Sequence, residues 1–245
     1  MTSIINRPLI TFVIHCYYPD QLHLIVERMA NCLQSSDIKF NVILGYSNVS
    51  CAPAAESLGE LEATEGYGGY KLFRIKNLGR NFATLLEESV IAEVNGETVL
   101  HLHTKKSPHL PRLVGRLWLR LILLYLLPNA AILKLRSRRL VEQGGIAFAP
   151  LDLLFRRRSR KKPDSKPFFE KKMNPNEISS QANSRLVRFP AGGMFHADSR
   201  IFLSWTKKVL EARPIFRQHD SISGETEHFL ERDLGDHFMK MSQKN

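Results

Sequence analysis

Cysteine is scarce in this chain, with three in 245 residues: Cys16, Cys32 and Cys51, all in the first quarter. They form neither a C-x-x-C pair nor an even-numbered framework, which excludes a disulfide-stapled scaffold and reads as reduced thiols in a cytosolic protein. Long apolar runs are missing too. The most membrane-like stretch, 117–135, contains Arg120 and is interrupted by Pro128 and Asn129. Its longest unbroken run is far below the roughly 18 residues of a spanning helix, so it reads as a buried or interfacial helix. Residues 1–14 carry Arg7, Pro8 and Thr11, and no small-residue cleavage site follows, so no signal peptide is expected. Internal repeats and recognisable nucleic-acid-binding motifs are absent as well, and nucleic acid is not the expected partner.

Acidic residues are in deficit: 24 Asp and Glu stand against 35 Lys and Arg, a formal charge of +11. Such an excess favours an anionic partner, whether a nucleotide diphosphate, phospholipid headgroups or nucleic acid, and charge alone does not choose among them. At 43% hydrophobic, the 245 residues suffice for one α/β domain spanning the chain. A basic, Pro- and Asn-containing stretch at about 156–184, opening with the run from Arg156 to Lys162, reads as a loop excursion.

Periodicity supplies the elements. Residues 9–14 (LITFVI) read as a buried strand, and 21–33 as a helix with apolar Leu22, Ile25, Met29 and Leu33 and Asp20 as its N-cap. Strands are expected at 40–44, 70–75 and 98–102, with a helix over 82–94. Helices at 118–127 and 130–140, strands at 145–150 and 186–190, and a closing helix at 225–234 with a frayed tail complete the reading. Alternation of this kind predicts an α/β fold with a mostly parallel sheet flanked by helices, and ligands at the carboxyl ends of the strands. His15, residues 77–81 and His103 fall at such ends.

Four sequence blocks, met in order, resemble the rhamnan synthesis protein F family of polysaccharide-building glycosyltransferases: His15-Cys16-Tyr17-Tyr18-Pro19, Asn77-Leu78-Gly79-Arg80-Asn81, His101-Leu102-His103-Thr104-Lys105-Lys106-Ser107, and Phe189-Pro190-Ala191-Gly192-Gly193-Met194-Phe195. A fifth, His228-Phe229-Leu230-Glu231-Arg232, is similar to the family's closing helix. The resemblance implies a GT-A-like nucleotide-sugar-binding architecture. It also implies transfer of a rhamnose- or galactofuranose-type sugar from a nucleotide donor to a glycan or lipid-linked acceptor, at the cytoplasmic side of the membrane. Two positions depart from the family pattern. Asn81 stands where an Asp is usual, and Ser223-Gly224 replaces an Asp-Gly.

Chemistry assigns expected roles. Departure of a nucleotide diphosphate builds negative charge on the leaving oxygen, which Lys105 and Lys106 would meet just beyond a strand end. Related sheets carry Asp-x-Asp there, and here His101-x-His103 takes that place, both imidazoles on one strand face. As metal ligands these two would suit a transition metal such as manganese, against a plainer role as hydrogen-bonded strand histidines and against metal-free catalysis by the lysines. Arg80 would grip a phosphate, with Asn77, Gly79 and Asn81 shaping its turn. Pro190, Ala191, Gly192 and Gly193 would let backbone amides approach the sugar, with Met194 as an apolar wall. Asp220, Glu225 and Glu227 are candidates for the base that deprotonates the acceptor hydroxyl. His15 and Tyr17 would flank the donor nucleotide, and His228 belongs to the closing helix. The basic run beginning at Arg156 would add peripheral attachment to an anionic membrane, each basic residue contributing about 1 kcal/mol.

Overall fold

The computed structural model describes residues 7–76, 80–104, 112–150, 190, 193–212 and 225–242. Strands β1 (Ile10–Cys16), β2 (Phe40–Tyr46), β3 (Tyr67–Arg74), β4 (Thr98–His103), β5 (Ile146–Ala147) and β6 (Phe195–Asp198) form one open sheet in the order β3-β2-β1-β4-β6-β5. The first four run parallel, whereas β6 runs antiparallel to both β4 and β5. The result is a mixed α/β fold of general Rossmann-like architecture, a central sheet flanked by helices.

Each face of the sheet has its own core. Under the first lie α1 (Pro19–Leu33), the short α2 (Cys51–Ala54) with the 3-10 segment Ala55–Ala63, α4 (Arg112–Leu126) and α5 (Ala130–Gln143). They bury Ile10, Phe12, Ile14, Leu100 and Leu102, alternate residues of strands covered on both sides. The second face is covered by the 3-10 turns Arg80–Phe82 and Thr84–Leu86, the one-turn α3 (Glu88–Ile91), α6 (Ser199–Ala212) and α7 (Glu225–Ser242). Here Val13, Val99, Phe195 and Ala197 meet Phe82, Phe202, Trp205, Leu230, Leu234 and Phe238.

Several elements differ from the sequence reading. Asp20 is not the N-cap of α1. Tyr18 holds that position without its side chain capping the helix, Pro19 opens the helix, and Asp20 lies in the first turn, where the helix dipole favours a carboxylate. The helix expected over 82–94 is broken into two 3-10 turns and α3, with Glu87 extended between them (φ −84, ψ 118). Tertiary anchoring outweighs propensity there: Thr84, Leu85 and Leu86 are all buried against the sheet. The strand expected at 145–150 shortens to Ile146–Ala147, and β4 extends through His103. The strand expected at 186–190 lies outside the described residues except for Pro190, as does the excursion at 156–184.

Helix α6 escaped the sequence reading although its signal was present. Ile201, Phe202, Trp205 and Val209 recur at helical spacing, and Asp198 caps the start by accepting from the Arg200 N–H at 2.7 Å. Closing helix α7 continues to Ser242 rather than fraying after 234, because Phe238 is buried one turn beyond Leu234. Trp205 ties the two helices together, its indole N–H donating to Asp233 at 3.0 Å.

Candidate functional site

The route of the chain through the sheet defines the place. From β1 it moves outward to β2 and β3 by way of the first face, then returns across the second face to enter β4 on the other side of β1. The order reverses between β1 and β4, and in open α/β sheets the carboxyl mouth of such a switch point is where ligands sit. At that mouth β1 ends in His15-Cys16 and β4 in His103, with His15 and His103 directly opposite in register.

The same row continues on both sides. Gly45 of β2 lies opposite His15, and Gly193 lies against His103 two residues before β6 begins. Two histidines are thus flanked by two glycines, and each glycine makes room for a side chain from a turn on the second face. At Gly45 a Cβ would overlap Thr84, with the Thr84 Cβ only 2.9 Å away. Thr84 uses that space to hydrogen-bond His15 Nδ1 at 2.8 Å. At Gly193, whose φ of 76° favours glycine, a Cβ would collide with the Asn81 amide and lie 3.5 Å from His103 Nε2. Asn81, His103 and Gly193 are therefore in close approach although separated widely in sequence.

Burial holds His15 and His101 neutral. Burial, reinforced by the neighbouring His103, pushes His15 down from 6.5 to about 3, and the ring is 3% exposed. His101 is fully buried and also held well below 6.5, by desolvation first and His103 second. Its Nδ1–H donates to the Val13 carbonyl at 2.9 Å, and the ring packs on Phe195 with centroids 5.6 Å apart. The Asn81 main chain pulls weakly on the same ring, yet His101 Nε2 has no partner in hydrogen-bonding geometry among the described residues. His101 is thus a core histidine behind His103, their ring centroids 5.9 Å apart, rather than a residue at the open mouth. His103 is 3% exposed, and its Nδ1 is 3.3 Å from the Thr104 carbonyl, which fixes that nitrogen as the donor and turns Nε2 toward Asn81 and Gly193.

Thr104 closes the mouth from the other side. Its hydroxyl oxygen accepts from the Tyr17 and Tyr18 N–H groups, both at 2.9 Å, and its own N–H donates to the His15 carbonyl at 3.0 Å. The first and third sequence blocks are joined at this residue. Tyr17 is 36% exposed and edge-on to Tyr18 at 4.8 Å, so an aromatic face is available beside the row. Beneath them Cys16 and Cys51 are buried and share a thiol contact. Desolvation, then that contact, raises Cys16 far above the thiol range, while Cys32 is pushed up to about 11 by burial. None of the three thiols has the lowered pKa of a nucleophile.

Of the expected site residues, the fold brings His15, Tyr17, Asn81, His103, Gly193 and the buried Met194 to one end of the sheet. Arg80 opens the 3-10 turn beside Asn81, and α7 packs against that turn. Pro190 is buried, and Glu225 and His228 lie in the first turn of α7. Lys105, Lys106, Asn77, Gly79, Ala191, Gly192 and Asp220 lie outside the described residues. Among the described residues no three His, Cys, Asp or Glu side chains are placed to hold a metal ion. The sequence reading missed Thr84, Thr104 and Gly45; a threonine directly following His103 was visible, but the Thr84 and Gly45 contacts exist only through tertiary pairing.

No family model matches the chain, and no curated protein matches it significantly.

Proposed function

We propose that this chain is a GT-A-like glycosyltransferase moving a rhamnose- or galactofuranose-type sugar from a nucleotide-sugar donor to a growing cell-surface polysaccharide or O-antigen. The reading rests on one observation. His15, Asn81, His103 and Gly193 come from four separate sequence blocks resembling the rhamnan synthesis protein F family, and they meet at the carboxyl mouth of the β1/β4 switch point. Four motifs that served only local turns would have no reason to converge. The strand order, with antiparallel β6 beside β4, also suits a GT-A-like sheet.

In this mechanism His103 and Asn81 bind the sugar or diphosphate through hydrogen bonds from a water-poor row. Lys105 and Lys106, following directly on Thr104, supply the positive charge that the leaving diphosphate requires. His15 is a positioning residue, holding Thr84 and the adjoining turn through a neutral imidazole. Proton removal from the acceptor falls to Asp220 or Glu225, because the row itself contains no carboxylate among its described members, His15, Asn81, Thr84, His103 and Thr104. His103 would supply an imidazole to a divalent metal such as manganese, which would add positive charge at the leaving diphosphate.

Release of UDP or dTDP from a panel of nucleotide sugars, with a glycan or lipid-linked acceptor present and with or without EDTA, tests the reading. Donor-dependent release should fall by at least about a hundredfold in His103→Ala, a loss comparable to removing a transition-state donor. Unchanged release in a folded variant would sink the assignment. A second reading is a nucleotide-sugar or glycan binding module without turnover. It is favoured by Asn81, a neutral amide seated at Gly193 where the family pattern has Asp. Donor binding by calorimetry with no release under any acceptor condition would select it.

A further inference from the structure

The outer face of the α4–α5 pair carries a feature that the transferase reading does not use. Leu117, Leu121, Leu124 and Tyr125 recur at helical spacing on α4 and are 57, 48, 51 and 39% exposed. Across the bend, Ile132 and Leu135 of α5 continue the stripe at 46 and 51%. Solvent-facing leucines in such a row are unusual for a helix whose opposite side already supplies the core. Arginines flank the stripe: exposed Arg116 and Arg120 run along one side of α4, where they line a pocket with Asp20 of α1, and exposed Arg138 and Arg139 lie toward the end of α5. The sequence from 98 to 141 holds no acidic residue, and exposed Glu142 follows in the last turn of α5. Asp37, which the fold brings beside α5, is ion-paired with Lys134, and Arg136 is turned inward to the Tyr125 and Leu126 carbonyls.

The chemistry of that face selects its occupant. An apolar centre with a rim on which four arginines outnumber the neighbouring acids Asp20 and Glu142 complements a surface that is apolar inside and anionic at the edge, the cross-section of a negatively charged lipid leaflet. A protein partner would have to supply an apolar patch ringed by acids, whereas a leaflet presents both without further specification. Crossing the bilayer is excluded on energetic grounds. Leu119, Ile122, Leu123, Leu126, Leu127 and Leu133, on the inner side of the same helices, are at most 2% exposed within the main core, so insertion would take that core apart. No single described helix is long and apolar enough to span, and the two helices meet at 69° across the break at 127–129. An L-shaped pair of this kind lies flat on a plane.

We propose that the α4–α5 outer face docks the protein on an anionic lipid bilayer, with the leucine stripe in the headgroup–acyl boundary and the four arginines at the phosphates. Docking itself does not depend on transferase activity.

The test is flotation of the full chain with vesicles of one part phosphatidylglycerol to two parts phosphatidylcholine, against phosphatidylcholine alone, without any nucleotide sugar. Wild-type protein should float with the anionic vesicles and not the neutral ones. The Leu121→Asp/Leu124→Asp double variant should bind at least about tenfold more weakly, and Arg116→Ser/Arg120→Ser about fivefold or more per arginine removed, the latter loss shrinking at high salt. Bromine-labelled lipid should quench Trp118 of the wild-type protein, a readout that needs no variant. The proposal is overturned by absence of flotation and quenching, by flotation indifferent to the leucine pair in a variant of unchanged melting temperature, or by lipid-free self-association that the leucine pair abolishes, which would make this face a protein interface. A protein that floats but releases no nucleotide would refute the transferase reading alone.

Discussion

The two faces of the sheet bury comparable numbers of strands but are built from different materials. On the first, Ile10, Phe12, Ile14, Leu100 and Leu102 meet leucine-rich helices, and polar intrusions are few. His196 is one of them. Its Nε2 lies 2.9 Å from Thr98 Oγ1 and 3.3 Å from Ser137 Oγ, and both hydroxyls already donate elsewhere, to Leu9 and Leu133, so the imidazole N–H is shared between two acceptors. On the second face the carboxyl end is inlaid with His15, Thr84, His101, His103 and Asn81, held by a glycine on each side. A face built for stability alone gains nothing from such an inlay, since every imidazole taken out of water costs desolvation. The lesson is that polar expense is concentrated at one end of one face, where the switch point lies.

Acidification should break this comparison most strongly. His15 and His196 are held at about 3 and His101 well below 6.5, in each case by burial first. Their folded values lie under the unfolded one. The stability they confer is therefore complete above pH 6.5 and is lost as pH falls from there toward 3, at up to about 1.4 kcal/mol per pH unit for each. Chemical denaturation at pH 7 and pH 5 should differ by several kcal/mol, and His15→Gln should flatten that slope by about one proton. A slope unchanged in the variant would show that His15 is not buried neutral.

Gly45→Ala should have the next largest effect. The added Cβ enters the space of Thr84 and forces it off His15, at a cost of about 2 kcal/mol as for other overpacked cores. Its particular signature is a rise in the His15 pKa by NMR titration, because the turn that excludes water has moved. On the first face, Ile14→Val removes one buried methylene without touching a polar contact and should cost only about 1 kcal/mol, with no change in any histidine titration. If Ile14→Val shifted the His15 titration as much as Gly45→Ala does, the two faces would not be independent.

Much of the sheet was legible in the sequence, because β1, β2 and β4 are covered on both sides and read as continuous apolar runs. The segment after β3 was misread for a physical reason: Phe82, Leu85, Leu86, Val90 and Val94 have helical spacing, but Thr84 is claimed by Gly45 and His15 from other strands. Helix α6 was legible and passed over, its apolar spacing beginning directly where the short strand β6 ends at Asp198. At the site, the family-like blocks brought out His15, Asn81, His103 and Gly193 individually. Their alignment in one row could not be read, because it depends on the register between β1, β2 and β4. The same register explains why His101, alike to His103 in sequence, ends up behind it against Phe195.

The buried thiols have a practical consequence. Cys16, Cys32 and Cys51 are all shielded, and burial lifts each of their pKa values, so none offers an accessible thiolate near neutral pH. The protein is thereby a ready host for site-directed labelling: a cysteine introduced on an exposed turn becomes the reactive handle without any prior removal of native ones. A fluorophore or spin probe placed next to Tyr17, or on the outer side of α4, would test for nucleotide-sugar binding or vesicle binding at that place in an otherwise native background.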